Sequence, residues 1–304
     1  MKVFVTGGSG MVGRNIVEYL TKLGLEVLYP TSKEINLLDK EALRMFLQKN
    51  EPEMIIHCAG LVGGIQANIN NPASFLYENT QMGLNIIMSS YESGVKKLIN
   101  MSSSCVYPRN IKNPLSEEFI LKGELEPTNE GYSLAKIASL KLCEYINKEN
   151  SNFQYKTIIP CNLYGRYDKF DPKNSHMIPG VIKKISDAKN NNEKNVIIWG
   201  DGSVRREFMY VEDLADFVWY ATENFEQIPQ NINVGLGFDY SINEYYQIIA
   251  DVIGYKGKFQ YDFSKPVGMK QKLMDNSKLK EFGWKYKTTL KDGIIKTYAF
   301  FLKN

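Results

Sequence analysis

The run Val5-Thr6-Gly7-Gly8-Ser9-Gly10-Met11-Val12-Gly13 constrains this chain more than any other stretch. It grows out of the apolar segment Lys2-Val3-Phe4-Val5 and opens an amphipathic one through Asn15, Ile16, Val17, Tyr19 and Leu20. Glycines at 7, 10 and 13 let the backbone turn sharply, approach a pyrophosphate and pack helix against strand. Free N–H groups at the helix start, at Met11 and Val12, then face the phosphates. A glycine-rich loop alone is a weak signal. Strand, glycine turn and helix in this order point to a dinucleotide.

The rest of the first half repeats the pattern. Strands are expected at 2–5, 25–29, 54–59, 97–102 and 155–160, and helices at 10–23, 39–49, 72–93 and 133–149. Such alternation predicts an α/β fold, a doubly wound parallel sheet with helices on both faces. Pro72 suits a first helical position, and Gly94 suits a stop. After Tyr164-Gly165 the pattern changes: a polar stretch over 166–176, a helix over 178–190, a strand over 196–199 and the turn Gly200-Asp201-Gly202. Helices follow near 212–224, 241–253 and 290–302, with a Gly/Lys-rich segment before the last. This predicts a nucleotide-binding domain of 1–165 plus about 207–240, and a smaller substrate domain of 166–206 and 241–304.

Composition narrows the function. The net charge of the 304 residues is only +3, without a long basic run, so nucleic acid is not expected. No apolar stretch approaches the ~20 residues that span a bilayer. The chain opens directly on a strand, so no leader is expected. Cys58, Cys105, Cys143 and Cys161 are scattered without CxxC spacing, and there are only two histidines. No metal site or disulfide framework is expected, and a reducing cytoplasm fits.

Tyr132 and Lys136 stand four apart at the start of a helix, on one face. A phenol titrating near ~10 is a poor acid–base group until an adjacent ammonium stabilises its anion. The pair alone also reads as surface Tyr beside surface Lys. Its place after the Ser-rich strand end Met101-Ser102-Ser103-Ser104-Cys105-Val106-Tyr107-Pro108 favours catalysis. In a doubly wound sheet, ligands sit beyond the carboxyl ends of strands, where these hydroxyls can bond a carbonyl.

Together, TGxxGxxG, the serine and YxxxK resemble the extended short-chain dehydrogenase/reductase superfamily, of Rossmann type. More narrowly, the chain resembles the GDP-L-fucose synthase family. Val62-Gly63-Gly64-Ile65-Gln66-Ala67-Asn68, Ser103 through Pro108, Leu125-Glu126-Pro127-Thr128-Asn129-Glu130 and Asn162-Leu163-Tyr164-Gly165 carry the likeness. So do Asn174-Ser175-His176-Met177-Ile178-Pro179 and Trp199-Gly200 through Arg206-Glu207-Phe208. The resemblance implies a GDP-linked 4-keto-6-deoxy sugar, NADPH, and a homodimer built on helices 72–93 and 133–149. It implies a reductase triad of Ser103, Tyr132 and Lys136. Cys105 and His176 would be the acid–base pair that epimerises C3 and C5. A C4 ketone acidifies both neighbouring C–H bonds; a thiol suits the base and an imidazole the acid. Arg206 and Lys184 would meet the diphosphate, with a guanidinium binding it in bidentate fashion. Trp199 would shape the nucleotide pocket, and Ser104, Asn162 and Lys272 would line the substrate. Ala59 and His176 would also border the cofactor. His57, within an apolar strand, reads as structural or near the cofactor. Cys58, Cys143 and Cys161 read as small buried hydrophobes.

The second strand ends Tyr29-Pro30-Thr31-Ser32-Lys33, with no acid at its tip for an adenosine 2′-hydroxyl. Ser32 and Lys33 suit a 2′-phosphate, hence NADPH, although Glu34 is adjacent. Asp39 matches the superfamily's adenine-side acid. The chain departs from the family pattern at Ser102, where glycine is usual. It departs again at Pro266-Val267-Gly268-Met269-Lys270-Gln271-Lys272, where Pro-Asp-Gly-Thr-Pro-Arg-Lys is common. A pure C4 reductase of a related sugar, such as a heptose, therefore stays open. A 4,6-dehydratase would carry Thr-Asp-Glu where Ser104-Cys105-Val106 stands, and a non-enzymatic dinucleotide sensor would lack the Tyr/Lys pair.

Overall fold

The computed structural model describes residues 1–171, 175–265 and 268–303. The first half runs β1 (Lys2–Thr6), α1 (Met11–Lys22), β2 (Glu26–Leu28), α2 (Lys40–Asn50), β3 (Met54–His57), α3 (Ile65–Asn70), α4 (Pro72–Glu92), β4 (Lys97–Met101), α5 (Glu130–Glu149) and β5 (Gln154–Pro160). Next come β6 (Asn162–Tyr164), α6 (Met177–Asn190), β7 (Asn195–Trp199), β8 (Arg205–Arg206), β9 (Phe208–Tyr210), α7 (Val211–Glu223) and β10 (Asn231–Val234). The chain finishes with β11 (Tyr240–Ser241), α8 (Ile242–Ile253), β12 (Lys258–Asp262), β13 (Gln271–Lys272), α9 (Ser277–Phe282) and α10 (Leu290–Phe301).

Strands β10, β5, β4, β3, β1 and β2 lie side by side in that order, all parallel. This is the Rossmann-type sheet expected from the alternation. Successive strand residues face opposite sides. Val3 and Val5 enter a core with Ile16, Leu20, Leu214 and Phe217, under α1 and α7. Phe4 enters one with Leu43, Leu47, Ile86, Ile87 and Cys143, under α2, α4 and α5. The chain leaves β1 for β2 on one side and returns to β3 on the other. That reversal opens a crevice at the strands' carboxyl ends, where doubly wound sheets bind ligands.

A separate core gathers Tyr164, Ile178, Ile182, Ile185, Ile198, Tyr210, Tyr245, Ile249 and Ile294, from α6, α8, α10 and the strands between them. Met274, Leu279 and Trp284 pack instead with the main-sheet core. Some elements escape a reading of the sequence. Edge strand β10 reads Asn-Ile-Asn-Val, with little strand propensity of its own. It forms by pairing Ile232 with Ile158, and buried Asn233 accepts from the Tyr107 hydroxyl at 2.6 Å. β12, in the Gly/Lys-rich segment, is ordered by parallel pairing with β7. α3 and α9 are six-residue helices, too short to show periodicity.

Candidate active site

At the crevice, the Thr6 hydroxyl meets His57 Nδ1 at 2.8 Å and accepts from Ala59 N at 3.2 Å, locking β1 to the end of β3. Burial, with the Lys136 charge adding to it, pushes the His57 imidazole down to about 3. It is neutral at working pH, structural and close to the cleft at once. Gly7 has φ +68, and a Cβ there would lie 2.8 Å from the Ala59 backbone. A Cβ on Gly13 would strike the Gly7 carbonyl. Gly10 starts α1 without any side-chain cap, so the first-turn N–H groups remain for an anion. The glycine cradle and uncapped helix start fit a dinucleotide pyrophosphate.

Ser32 and Lys33 are exposed in the turn after β2. Glu34 turns away from that role: its carboxylate accepts from Thr31 N at 2.7 Å and Thr31 Oγ1 at 2.8 Å. Asp39 caps α2, accepting from Ala42 N at 3.0 Å.

The chemical cluster forms where β4 ends and α5 begins. Ser103 Oγ accepts from Cys105 N at 3.4 Å at the start of a single 3-10 turn, Ser104–Val106. Ser104 and Cys105 are buried within that turn. Lys136 projects from α5 and donates from Nζ to the Met101 carbonyl at 2.9 Å. The same ammonium sits 5.7 Å from the Tyr132 ring centroid. Burial pushes the Tyr132 phenol well above its ordinary value, and negative charge on Cys105 would push it further. Burial lowers Lys136, while the Cys105 and Cys58 thiols oppose the drop. Asn79 closes the cluster from α4, its amide spanning Leu61 N and Leu61 O at 2.8 and 3.1 Å.

The cations come from the short strands β8 and β13. Arg206 and Lys272 are partners in the parallel pairing of β8 with β13, so their side chains emerge together on one face. Burial pulls the Arg206 guanidinium down to about 10, with Glu126 and Asp239 opposing; it is charged at neutral pH. Burial also lowers Lys272, against Cys105 and Glu126, while Arg206 adds to the drop. Lys272 thus lies within electrostatic reach of both Arg206 and Cys105. Glu126 is the member that sequence reasoning left without a role. It gains meaning only when the loop before α5 comes within electrostatic reach of Arg206 and Lys272. A cavity of about 610 Å³ adjoins them, lined by Glu126, Arg205 and Gln271 among others. Ser103, Cys105, Tyr132 and Lys136 do not line it.

The remaining expected site residues make contacts of their own. His176 precedes α6, half exposed, with Nδ1 3.7 Å from Asp168 Oδ1. Ser175 beside it packs on Gly64. Asn162 spends its amide on the Glu207 carbonyl at 2.8 Å. Lys184 reaches from α6 to the Ile197 carbonyl of β7 at 2.9 Å, and burial lowers its ammonium. Trp199 ends β7 with its side chain exposed and Lys265 Nζ 5.9 Å from its ring. Asn174, Pro266 and Val267 lie outside the described residues. Among those described, no group of His, Cys, Asp and Glu could hold a metal ion, and no helix is long and apolar enough to cross a membrane.

The NAD dependent epimerase/dehydratase family matches residues 3–235. GDP-L-colitose synthase of Yersinia pseudotuberculosis is 58% identical over 302 residues, covering 99% of this chain and 98% of that protein. GDP-L-fucose synthase of Azorhizobium caulinodans is 48% identical over 301 residues, covering 99% and 96%. Among solved structures, a GDP-mannoheptose C4 reductase from Campylobacter jejuni with NADP bound superposes with TM-score 0.90 at 34% identity, covering 99% and 98%.

Proposed function

The chain belongs to the NAD dependent epimerase/dehydratase family, and from that premise we propose that it reduces the C4 ketone of a GDP-linked 4-keto-6-deoxy sugar, after epimerising C3 and C5. The observation that carries this reading is the cluster of Cys105, Tyr132 and Lys136, with Lys272, the strand partner of Arg206, in electrostatic reach of Cys105. Groups suited to acid–base work on a ketone and cations suited to a diphosphate lie within electrostatic reach of one another, which supports this reading. In this reading residues 1–165 with 207–240 hold the cofactor, and 166–206 with 241–304 hold the sugar nucleotide.

Bound NADPH supplies the hydride that C4 receives. Gly7, Gly10 and Gly13, with the N–H groups of Met11 and Val12, would hold its pyrophosphate, Ala59 would border it, and Ser32 and Lys33 would meet its 2′-phosphate. Asp39 lies on the adenine side. Tyr132, kept protonated by burial, donates its proton to O4 as negative charge develops there. Lys136 stabilises the phenolate left behind. The Ser103 hydroxyl donates to the ketone oxygen and orients it.

Before reduction, Cys105 as thiolate removes the C–H proton beside the ketone, and the electron pair moves onto O4 as an enolate. Ser103 and Tyr132 stabilise that oxygen. His176 returns a proton to carbon from the opposite face. Arg206, Lys184 and Lys272 bind the diphosphate and sugar, with Ser104, Asn162 and Trp199 shaping the pocket. We place the enzyme in the cytoplasm as a homodimer joined through α4 and α5, whose outer faces expose Leu76, Tyr77, Leu134 and Tyr145.

Deuterium exchange tests the epimerase half. In D₂O with NADP⁺ in place of NADPH, GDP-4-keto-6-deoxy-mannose takes up deuterium at C3 and C5, and Cys105→Ser stops it. Reduction without exchange in wild-type protein leaves a pure C4 reductase, with Cys105 and His176 positioning substrate. The colitose synthase's higher identity favours a second reading, a sugar without a 3-hydroxyl. Comparing kcat/KM on the 6-deoxy ketone and its 3-deoxy analogue decides between them.

A further inference from the structure

Glu207 follows the cation Arg206 directly and is fully buried. A carboxylate in such a place is costly unless its oxygens are hydrogen-bonded. Oε1 accepts from Gly237 N at 2.7 Å and from Leu236 N, and Oε2 accepts from Met274 N at 3.0 Å. Among the described residues no lysine or arginine forms an ion pair with it. Its partners are main-chain N–H groups from two distant segments. One segment follows β10 at the edge of the main sheet; the other follows β13.

A single side chain thus joins the β8–β9 stretch, the edge of the main sheet and the segment after β13. The surrounding backbone is tied down as well. The Glu207 carbonyl accepts from Asn162 Nδ2 at 2.8 Å, and the Arg206 carbonyl accepts from the Tyr245 hydroxyl at 2.9 Å. The approach is close enough that a Cβ on Gly235 would meet the carboxylate. Lys272 stands two residues before Met274, Arg206 one before Glu207, and the two cations are register partners. The bond from Met274 N to Oε2 therefore joins the residues that follow the same two strands as the cation pair.

We propose that Glu207 is the positioning residue that sets Arg206 against Lys272, and through them the grip on the sugar nucleotide's diphosphate. This rests on the reading that those two cations bind the diphosphate. An acid is required at this position because three N–H donors need both oxygens. A glutamine supplies one oxygen and turns an N–H₂ toward a donor.

The test uses Glu207→Gln in the full-length protein, with GDP-mannose, which has no ketone, as the binding probe. Kd for GDP-mannose and KM for the keto sugar rise about tenfold or more, the effect of one lost hydrogen bond to a charged group. Kd for NADPH and kcat stay within about twofold, whereas general damage to the fold would move them too. Gly235→Ala, which presses a methyl onto the same carboxylate, reproduces the pattern. When Arg206 and Lys272 are already alanine, adding Glu207→Gln changes GDP-mannose affinity by less than about twofold.

Wild-type affinity in Glu207→Gln overturns the proposal, as does equal loss of NADPH and GDP-mannose binding. A full effect in the double-alanine background also overturns it. Failure of both Glu207→Gln and Gly235→Ala to fold assigns the carboxylate to the fold alone. The double-alanine protein tests the underlying reading separately. Unchanged GDP-mannose affinity there removes the cations from the diphosphate site, and the proposal with them, whatever Glu207→Gln does.

Discussion

Replacing Tyr132 by phenylalanine separates chemistry from stability at this site. The ring packs 6.3 Å, centroid to centroid, from Phe75 and stays in place in the variant. Among the described residues the Tyr132 hydroxyl has no hydrogen-bond partner, so its removal forfeits none of the ~1 kcal/mol that a typical bond contributes. The melting temperature should therefore move by less than about 3 °C. In the proposed mechanism catalysis loses its proton donor to O4. General acid catalysis contributes about 100- to 10,000-fold, so the barrier rises by about 3 to 5 kcal/mol. The cofactor cradle at Gly7 and Gly13 lies on other elements, so affinity for NADPH is kept. Stopped-flow NADPH oxidation, fluorescence titration and thermal melting measure the three quantities. A Tyr132→Phe enzyme within tenfold of wild type would refute the assignment of the acid. A drop of more than 10 °C in Tm would show that the hydroxyl serves the fold.

Gly13→Ala should abolish NADPH binding while the sheet still forms, since the new methyl meets the Gly7 carbonyl in the cradle; retained affinity in a titration contradicts the cradle. Lys33→Glu should narrow or reverse the kcat/KM preference for NADPH over NADH, and a wild-type preference for NADH would remove the 2′-phosphate role. Leu134→Glu should turn a dimer into a monomer by light scattering, whereas a monomeric wild type at micromolar concentration rules the dimer out. His57 carries a pH signature: its ordinary value is 6.5 and burial first, then Lys136, holds it near 3. The folded state stays neutral while the unfolded chain takes up a proton below pH 6.5, so stability is full above that pH and falls as pH drops toward 3. Buried Glu207, pushed up to about 7, contributes the opposite slope between pH 4.5 and 7, so the histidine must be isolated by difference. From pH 7 to 5, wild type should lose about 2 kcal/mol relative to His57→Asn in denaturant titrations. A gap independent of pH means that His57 is charged in the fold.

What the sequence displayed was local. The glycine turn reads directly because its constraints fall within nine residues of chain, and the strand before it and helix after it lie where expected. Tyr132 and Lys136 read because a spacing of four survives in any helix. What it hid depends on distance along the chain. Thr6 and His57 meet across 51 residues, and Glu207 finds Met274 across 67. Neither pairing leaves a local pattern. Glu126 looked like a family landmark, and its electrostatic reach to Arg206 and Lys272 together exists only once β8 and β13 pair. β10 shows the same limit in the fold: Asn231-Ile232-Asn233-Val234 has weak intrinsic preference and becomes a strand because β5 offers an unpaired edge.

The central claim is transfer of hydrogen to C4 of a GDP-linked ketone. It is tested most directly with NADPH deuterated at the transferable position of nicotinamide C4, incubated in H₂O with GDP-4-keto-6-deoxy-mannose and enough enzyme for one turnover. Proton NMR of the isolated sugar nucleotide should show the H4 signal missing, one deuterium at C4, and NADP⁺ formed in equal amount. Unlabelled C4, or label at another carbon, would contradict the account, as would no NADPH oxidation with either this ketone or its 3-deoxy and heptose analogues.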